Sequence, residues 1–178
     1  MMYLLIISML LFFITSTWAI GRVGKMKDKT ISQHIAKKRF VQIVFGINGT
    51  IATILASIVL FSSTLPRYNA NVLSYILFAI LMFFFVMAAV IPQIENTWRA
   101  KVHYVAAWGM CFIIPFAIFL SLFWKLSLIT LIAGVIALIA IVALLGLFIC
   151  WRNLRKNFLA FQSLYLSIFF IYLLILTI

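Results

Sequence analysis

The sequence predicts an all-α integral membrane protein, a bundle of six transmembrane helices, and three observations lead there. Hydrophobic residues fill 67% of the 178 positions and charged ones only 9%, with a mean hydropathy of +1.28. A soluble domain covers its surface with about 25% charged residues, so this chain cannot. The apolar residues fall in six runs, at about 2–20, 41–63, 72–91, 103–124, 128–150 and 158–178. Each comes close to the roughly 20 residues that a helix rising 1.5 Å per residue needs to cross about 30 Å of hydrocarbon. The charges lie between the runs, 14 Lys and Arg against 2 acids.

Their distribution sets an orientation. The loops after the first, third and fifth runs hold twelve of the Lys and Arg, and those after the second and fourth hold two. Positive loops stay in the cytoplasm, which predicts both termini on the non-cytoplasmic side of the cell (plasma) membrane. The net charge of +12 does not point to nucleic acid, because a nucleic-acid binder needs its bases on one water-exposed face rather than in short loops between spans. Membrane lipids with anionic headgroups are the expected partners, together with a second copy of the chain or another membrane protein. Cys111 and Cys150 both sit inside apolar runs, away from any metal-ligand spacing, and read as packing residues.

Taken in order, the first run spans 19 residues without a charge, and no Lys or Arg precedes it. A signal peptide begins with a positive segment, so this run reads as an uncleaved helix. Residues 21–40 form a basic loop in which Lys25, Lys27, Lys29, Lys37, Lys38 and Arg39 either contact anionic headgroups or simply fix topology. Within it Thr30-Ile-Ser-Gln33 has the spacing of a capping box and predicts a short interfacial helix. In the second run Gly49, Thr53 and Ser57 recur every four residues, a seam for close helix approach. Asn48 lies beside that seam and needs a partner, either another helix or a ligand. The third run is apolar on every face. The fourth carries Pro115, which calls for a neighbour to satisfy a freed carbonyl, and Tyr104, Trp108 and Trp124 towards its ends, as in an interfacial aromatic belt. Gly134, Ala137 and Ala140 are packing points in the fifth, and the sixth begins with Gln162, Ser163 and Tyr165.

The chemically useful residues gather in the polar junction from Pro92 to Tyr104, which holds Glu95, Trp98, Arg99, Lys101 and His103. If the fourth helix begins early, at Asn96 or Thr97, then Glu95, Arg99 and His103 follow at four-residue intervals on one face. That face is either an ion-paired helix start or a contact surface for a ligand, with Gln162 expected to meet it. No Asp, Glu, Lys, Arg or His lies in the interior of a run, which argues against a proton-coupled pump, and no Asp-rich stretch is present to hold magnesium. Asp28, His34, Glu95 and His103 share the cytoplasmic side, but their spacing forms no compact ligand pair, so neither metal nor cofactor is predicted. The expected function is non-enzymatic binding of a lipid or membrane partner at this junction. A small oligomeric transporter or channel is the alternative, and a lipid-modifying enzyme using His103 and Glu95 as acid and base is the third reading.

The run Val90-Ile-Pro92, then Glu95, then His103-Tyr-Val-Ala-Ala107 with Phe112 resembles the junction of the third and fourth helices in the damage-regulated autophagy modulator superfamily and its prokaryotic relatives, which carry a domain of unknown function. The resemblance covers about 25 residues. It implies a six-helix membrane protein without an established catalytic activity, and points to Pro92, Glu95, His103 and Ala107. It also implies a non-cytoplasmic junction, opposite to the side assigned by the charge count.

Overall fold

Hydrocarbon offers no partner to a backbone N–H or C=O, so an apolar run can cross it only as a structure that bonds internally. The computed structural model, which describes residues 1–26, 29–94, 97–151 and 157–178, is built of helices accordingly. They are α1 (Met2–Val23), α2 (Ile31–Ile35), α3 (Arg39–Val59), α4 (Leu65–Arg67), α5 (Val72–Val90), α6 (Trp98–Ser121), α7 (Leu128–Cys150) and α8 (Phe158–Thr177). A π-helical turn, Leu60–Thr64, joins α3 to α4 so that Arg39–Arg67 forms one rod of 29 residues. Among the described residues six helices are long and apolar enough to span a membrane, and the chain is a multi-pass integral membrane protein.

Polar side chains set the helix starts. Asn71 accepts from the Ser74 amide at 2.9 Å to begin α5, and Ser127 from the Thr130 amide at 3.2 Å to begin α7. Thr97 caps α6, which therefore starts at Trp98 rather than at the edge of the apolar run, residue 103. α6 ends at Ser121 and leaves Trp124 outside the helix. Trp124 is only 9% exposed, stacks on Tyr68 and donates to Ser74 Oγ at 3.3 Å, so it is a core residue and not part of an interfacial belt. Cys150 is exposed on the outer surface and contributes little to packing, whereas Cys111 is half-buried.

The spans form a ring in chain order, α1 on α3, α3 on α5, α5 on α6, α6 on α7, α7 on α8, and α8 back on α1. α8 is the most buried of them. Its Phe170 meets Phe12 of α1 at 5.5 Å and Phe85 of α5 at 5.9 Å, while its Tyr172 hydroxyl hydrogen-bonds Ser121 of α6. Apolar burial cannot drive helices together in lipid, so close packing and a few polar bonds must. Ser8 of α1 donates to the Ala52 carbonyl of α3 at 2.7 Å, and Asn48 of α3 donates to Thr15 of α1 at 3.1 Å. Asn48 is therefore bonded as helix-to-helix glue.

Pro115 does not break α6. Lacking an N–H, it leaves the carbonyl of Cys111 without its helical partner. Tyr165 of α8 supplies the missing donor, its hydroxyl bonding that carbonyl at 2.6 Å. At the end of the bundle that holds the α8 C-terminus, Arg67 donates to the oxygens of Thr177 and Ile178, and Tyr68 donates to the Leu176 carbonyl at 3.0 Å. These bonds satisfy carbonyls that a helix end leaves open. The opposite end carries α2, the junction and the start of α8.

Candidate functional site

At that opposite end α2 lies as a short roof over the bundle. Its capping box is complete: Thr30 Oγ1 accepts from the Gln33 amide at 3.0 Å and Gln33 Oε1 accepts from the Thr30 amide at 2.9 Å. Two further bonds pin the roof to the spans. Thr30 Oγ1 donates to Gln93 Oε1 at 3.2 Å, and the Ile31 amide, an unpaired donor of the first turn, reaches Gln162 Oε1 of α8 at 3.0 Å. His34 is fully buried and uses both ring nitrogens. Nε2 accepts from the Met26 amide at 3.0 Å, and Nδ1–H donates to the Thr30 carbonyl at 2.7 Å. His34 therefore fastens the loop before α2 and offers nothing to a ligand.

His103 is placed differently. It stands in the second turn of α6, turned inward and only 3% exposed. Its Nδ1 lies 2.7 Å from the carbonyl of Ile91, which ends α5. A carbonyl only accepts, so Nδ1 carries the proton and the neutral ring presents Nε2 as an acceptor. Nε2 has no hydrogen-bond partner among the described residues, and no fully enclosed side-chain nitrogen or oxygen there is left unpaired. The free nitrogen thus opens into a cavity, because His103 lines one.

That cavity, of about 90 Å³, lies between α6, α7 and α8 beneath the roof. Its upper wall is polar and uncharged, made of Thr30, Ser32, Gln93, His103 and Gln162. The rest of its wall is mostly apolar, with Phe148 and Phe161 near the roof end and Trp108, Leu145 and Ile114 among the other residues. Phe148 of α7 stacks on Phe161 of α8 at 4.4 Å, which makes the wall beside Gln162 dense and aromatic. Tyr104 and Trp108 line the cavity and are also 49% and 39% exposed, so its wall reaches the outer surface of α6. A smaller cavity of about 40 Å³ towards α3 and α5 shares His103 and Gln162.

The structure therefore brings His103 and Gln162 together and places Asn48, Trp98 and Arg99 away from them. Trp98 is 65% exposed, with the Arg99 guanidinium 5.8 Å from its ring centre, outside the cavity. Glu95 lies outside the described residues, as does Lys27. Lys25, Lys37, Lys38 and Arg39 are exposed at the same end, and Lys29 is half-buried. Lys38 donates to the Arg22 carbonyl at 2.7 Å, capping the end of α1, and Lys37 contacts the Met26 sulfur at 3.0 Å. Lys25 borders an open cleft of about 420 Å³ between α1 and α8, with Asn157 and Ser163. Gln93, buried at 4% exposure, belongs to the site and is not distinguished by sequence pattern. Its only signal is an amide side chain directly after Pro92. Comparison with protein-family models, curated proteins and solved structures finds no match to this chain.

Proposed function

We propose that the protein is a non-enzymatic binding protein of the cell membrane that takes a membrane amphiphile into the cavity beneath α2. The ligand's polar end and first carbons would lie in the cavity against His103, Gln93, Gln162 and the aromatic side chains beside them, and the rest of its chain would run along the exposed Tyr104 and Trp108 of α6. The observation that carries this reading is the free acceptor of His103 in a mostly apolar cavity whose wall reaches the outer surface of α6 at Tyr104 and Trp108. Nε2 is accessible from the cavity and bonded to no described residue, so a ligand that donates there gains a hydrogen bond the protein leaves open. Few polar groups in a mostly apolar concavity is the usual composition of a small-molecule site. Towards the other end Phe78, Trp124, Phe169 and Tyr172 fill the centre of the bundle, which favours binding over conduction through one chain. A single-chain amphiphile bearing a photoreactive group in its chain, added in phosphatidylcholine vesicles, is expected to label peptides from 98–121 and 158–177. Labelling spread evenly over all six spans would count against the cavity.

The basic end, with the cavity, is assigned to the cytoplasm on the charge count. With Cys111 and Cys150 replaced by Ser, a membrane-impermeant maleimide should modify Lys125→Cys on intact cells and Lys37→Cys only after permeabilisation. The reverse pattern would invert the orientation. The exposed Lys25, Lys37 and Arg39 then lie at the level of anionic headgroups, where each contributes about 1 kcal/mol of surface attraction.

A further inference from the structure

We infer that the ligand's polar end is an uncharged hydroxyl, donated to His103 Nε2, and not an anionic headgroup. This deepens the amphiphile-binding reading and rests on it. The reasoning starts from the Ile91 carbonyl, 2.7 Å from His103 Nδ1, which can only accept. It puts a proton on Nδ1, and in the neutral ring, the form that burial at 3% exposure favours, Nε2 is an acceptor that only a donating ligand satisfies. A carboxylate or phosphodiester has no proton to give and would bring its lone pairs against that of the ring. The rest of the polar wall agrees. Gln93 and Gln162 each already accept one hydrogen bond on the side-chain oxygen, from Thr30 and from the Ile31 amide, and their NH₂ groups add donors to the same polar wall. Among the described residues no Lys or Arg lines the cavity, so nothing there would offset the desolvation of an anion. Of the described bases at this end, Lys25, Lys37, Lys38, Arg39, Arg99 and Lys101 are exposed and Lys29 is half-buried, and none of them lines the cavity. A hydroxyl both donates to His103 and accepts from an amide, whereas an ether can only accept. Long-chain alcohols, polyprenols and diacylglycerols share the required group and differ in the chain below it.

The test uses the full chain in phosphatidylcholine vesicles and three probes of equal length: a chain-brominated alcohol, its methyl ether and the corresponding carboxylic acid. Bromine quenches nearby indoles, and Trp108 is the tryptophan lining the cavity, so binding is read as the saturable part of the quenching that an excess of the unbrominated probe reverses and that disappears in Trp108→Phe. The alcohol should bind about tenfold more tightly than the ether, the factor that one buried hydrogen bond supplies, and more tightly than the acid at neutral pH. In His103→Phe the alcohol and ether should come within about twofold of each other. If that variant fails to fold, the comparison of the three probes on the native chain still decides. Equal affinity of alcohol and ether, or preference for the acid, would overturn the hydroxyl assignment while leaving amphiphile binding in place. Absence of Trp108-dependent quenching by all three would overturn the binding reading itself. With a competing unbrominated polyprenol and diacylglycerol, the better competitor identifies the source of the hydroxyl.

Discussion

Gly49→Val lowers stability by about 3 kcal/mol, the largest single effect expected from a change that leaves the cavity residues in place. A Cβ built on Gly49 would lie 2.8 Å from the Ala89 Cβ of α5, against an ordinary carbon–carbon contact of about 3.5–4.0 Å. Ala89 is a short side chain with no rotamer to escape into, so α3 and α5 must separate. In lipid that separation is not opposed by hydrophobic burial but forfeits the dispersion contacts along the seam. Gly49→Ala, a smaller insult, should be partly rescued by Ala89→Gly, with a coupling of about 1 kcal/mol or more in the double-mutant cycle. Additive effects would show that the two helices do not meet at this point. Thermal unfolding in detergent, followed by size-exclusion fluorescence, measures each variant.

The second large effect is at Pro115. Tyr165→Phe removes the donor to the Cys111 carbonyl and leaves that oxygen unpaired among apolar side chains, a loss of about 1–2 kcal/mol. Pro115→Ala returns a backbone N–H to the position four residues after Cys111, so the helix can satisfy its own carbonyl. In that background the cost of Tyr165→Phe should fall by at least half. An equal cost in both backgrounds would mean that the tyrosine stabilises the bundle by packing, not by replacing the bond that proline removes. The same pair matters to the site, since Cys111 and Tyr165 both line the cavity.

Much of this architecture was legible from residue order, for reasons that are local. The length of an apolar run is enough to announce a span, and Thr30-Ile-Ser-Gln33 announces a capped turn, because a capping box is closed within four residues. The recurrence of Gly49, Thr53 and Ser57 announced a seam, although its partner was not legible. Ala89 belongs to the third run, which reads as apolar on every face. Pro115 announced a carbonyl in need of a donor, yet the donor lies 54 residues from Cys111, a pairing that only the fold can set. The candidate site was legible in part. Helical spacing grouped His103 with Arg99 on one face, but a face a turn and more long can cross from solvent to core. Arg99 stays outside over Trp98 while His103 turns in to the Ile91 carbonyl. Gln93 and the roof bonds of Thr30 and Ile31 depend on α2 folding back over α5 and α8, which no local pattern encodes. The basic residues were conspicuous in sequence, and Lys38 turns out to cap α1.

Retention of an amphiphile by the purified protein tests the central claim most directly. Native mass spectrometry of the full chain, released from mild detergent, should show one copy of a lipid-sized species bound per chain. Ala107→Trp places an indole in the cavity that Ala107 lines and should remove that species while the protein stays folded by circular dichroism. A native chain that flies without any bound amphiphile, or an Ala107→Trp variant that retains it unchanged, would contradict the account.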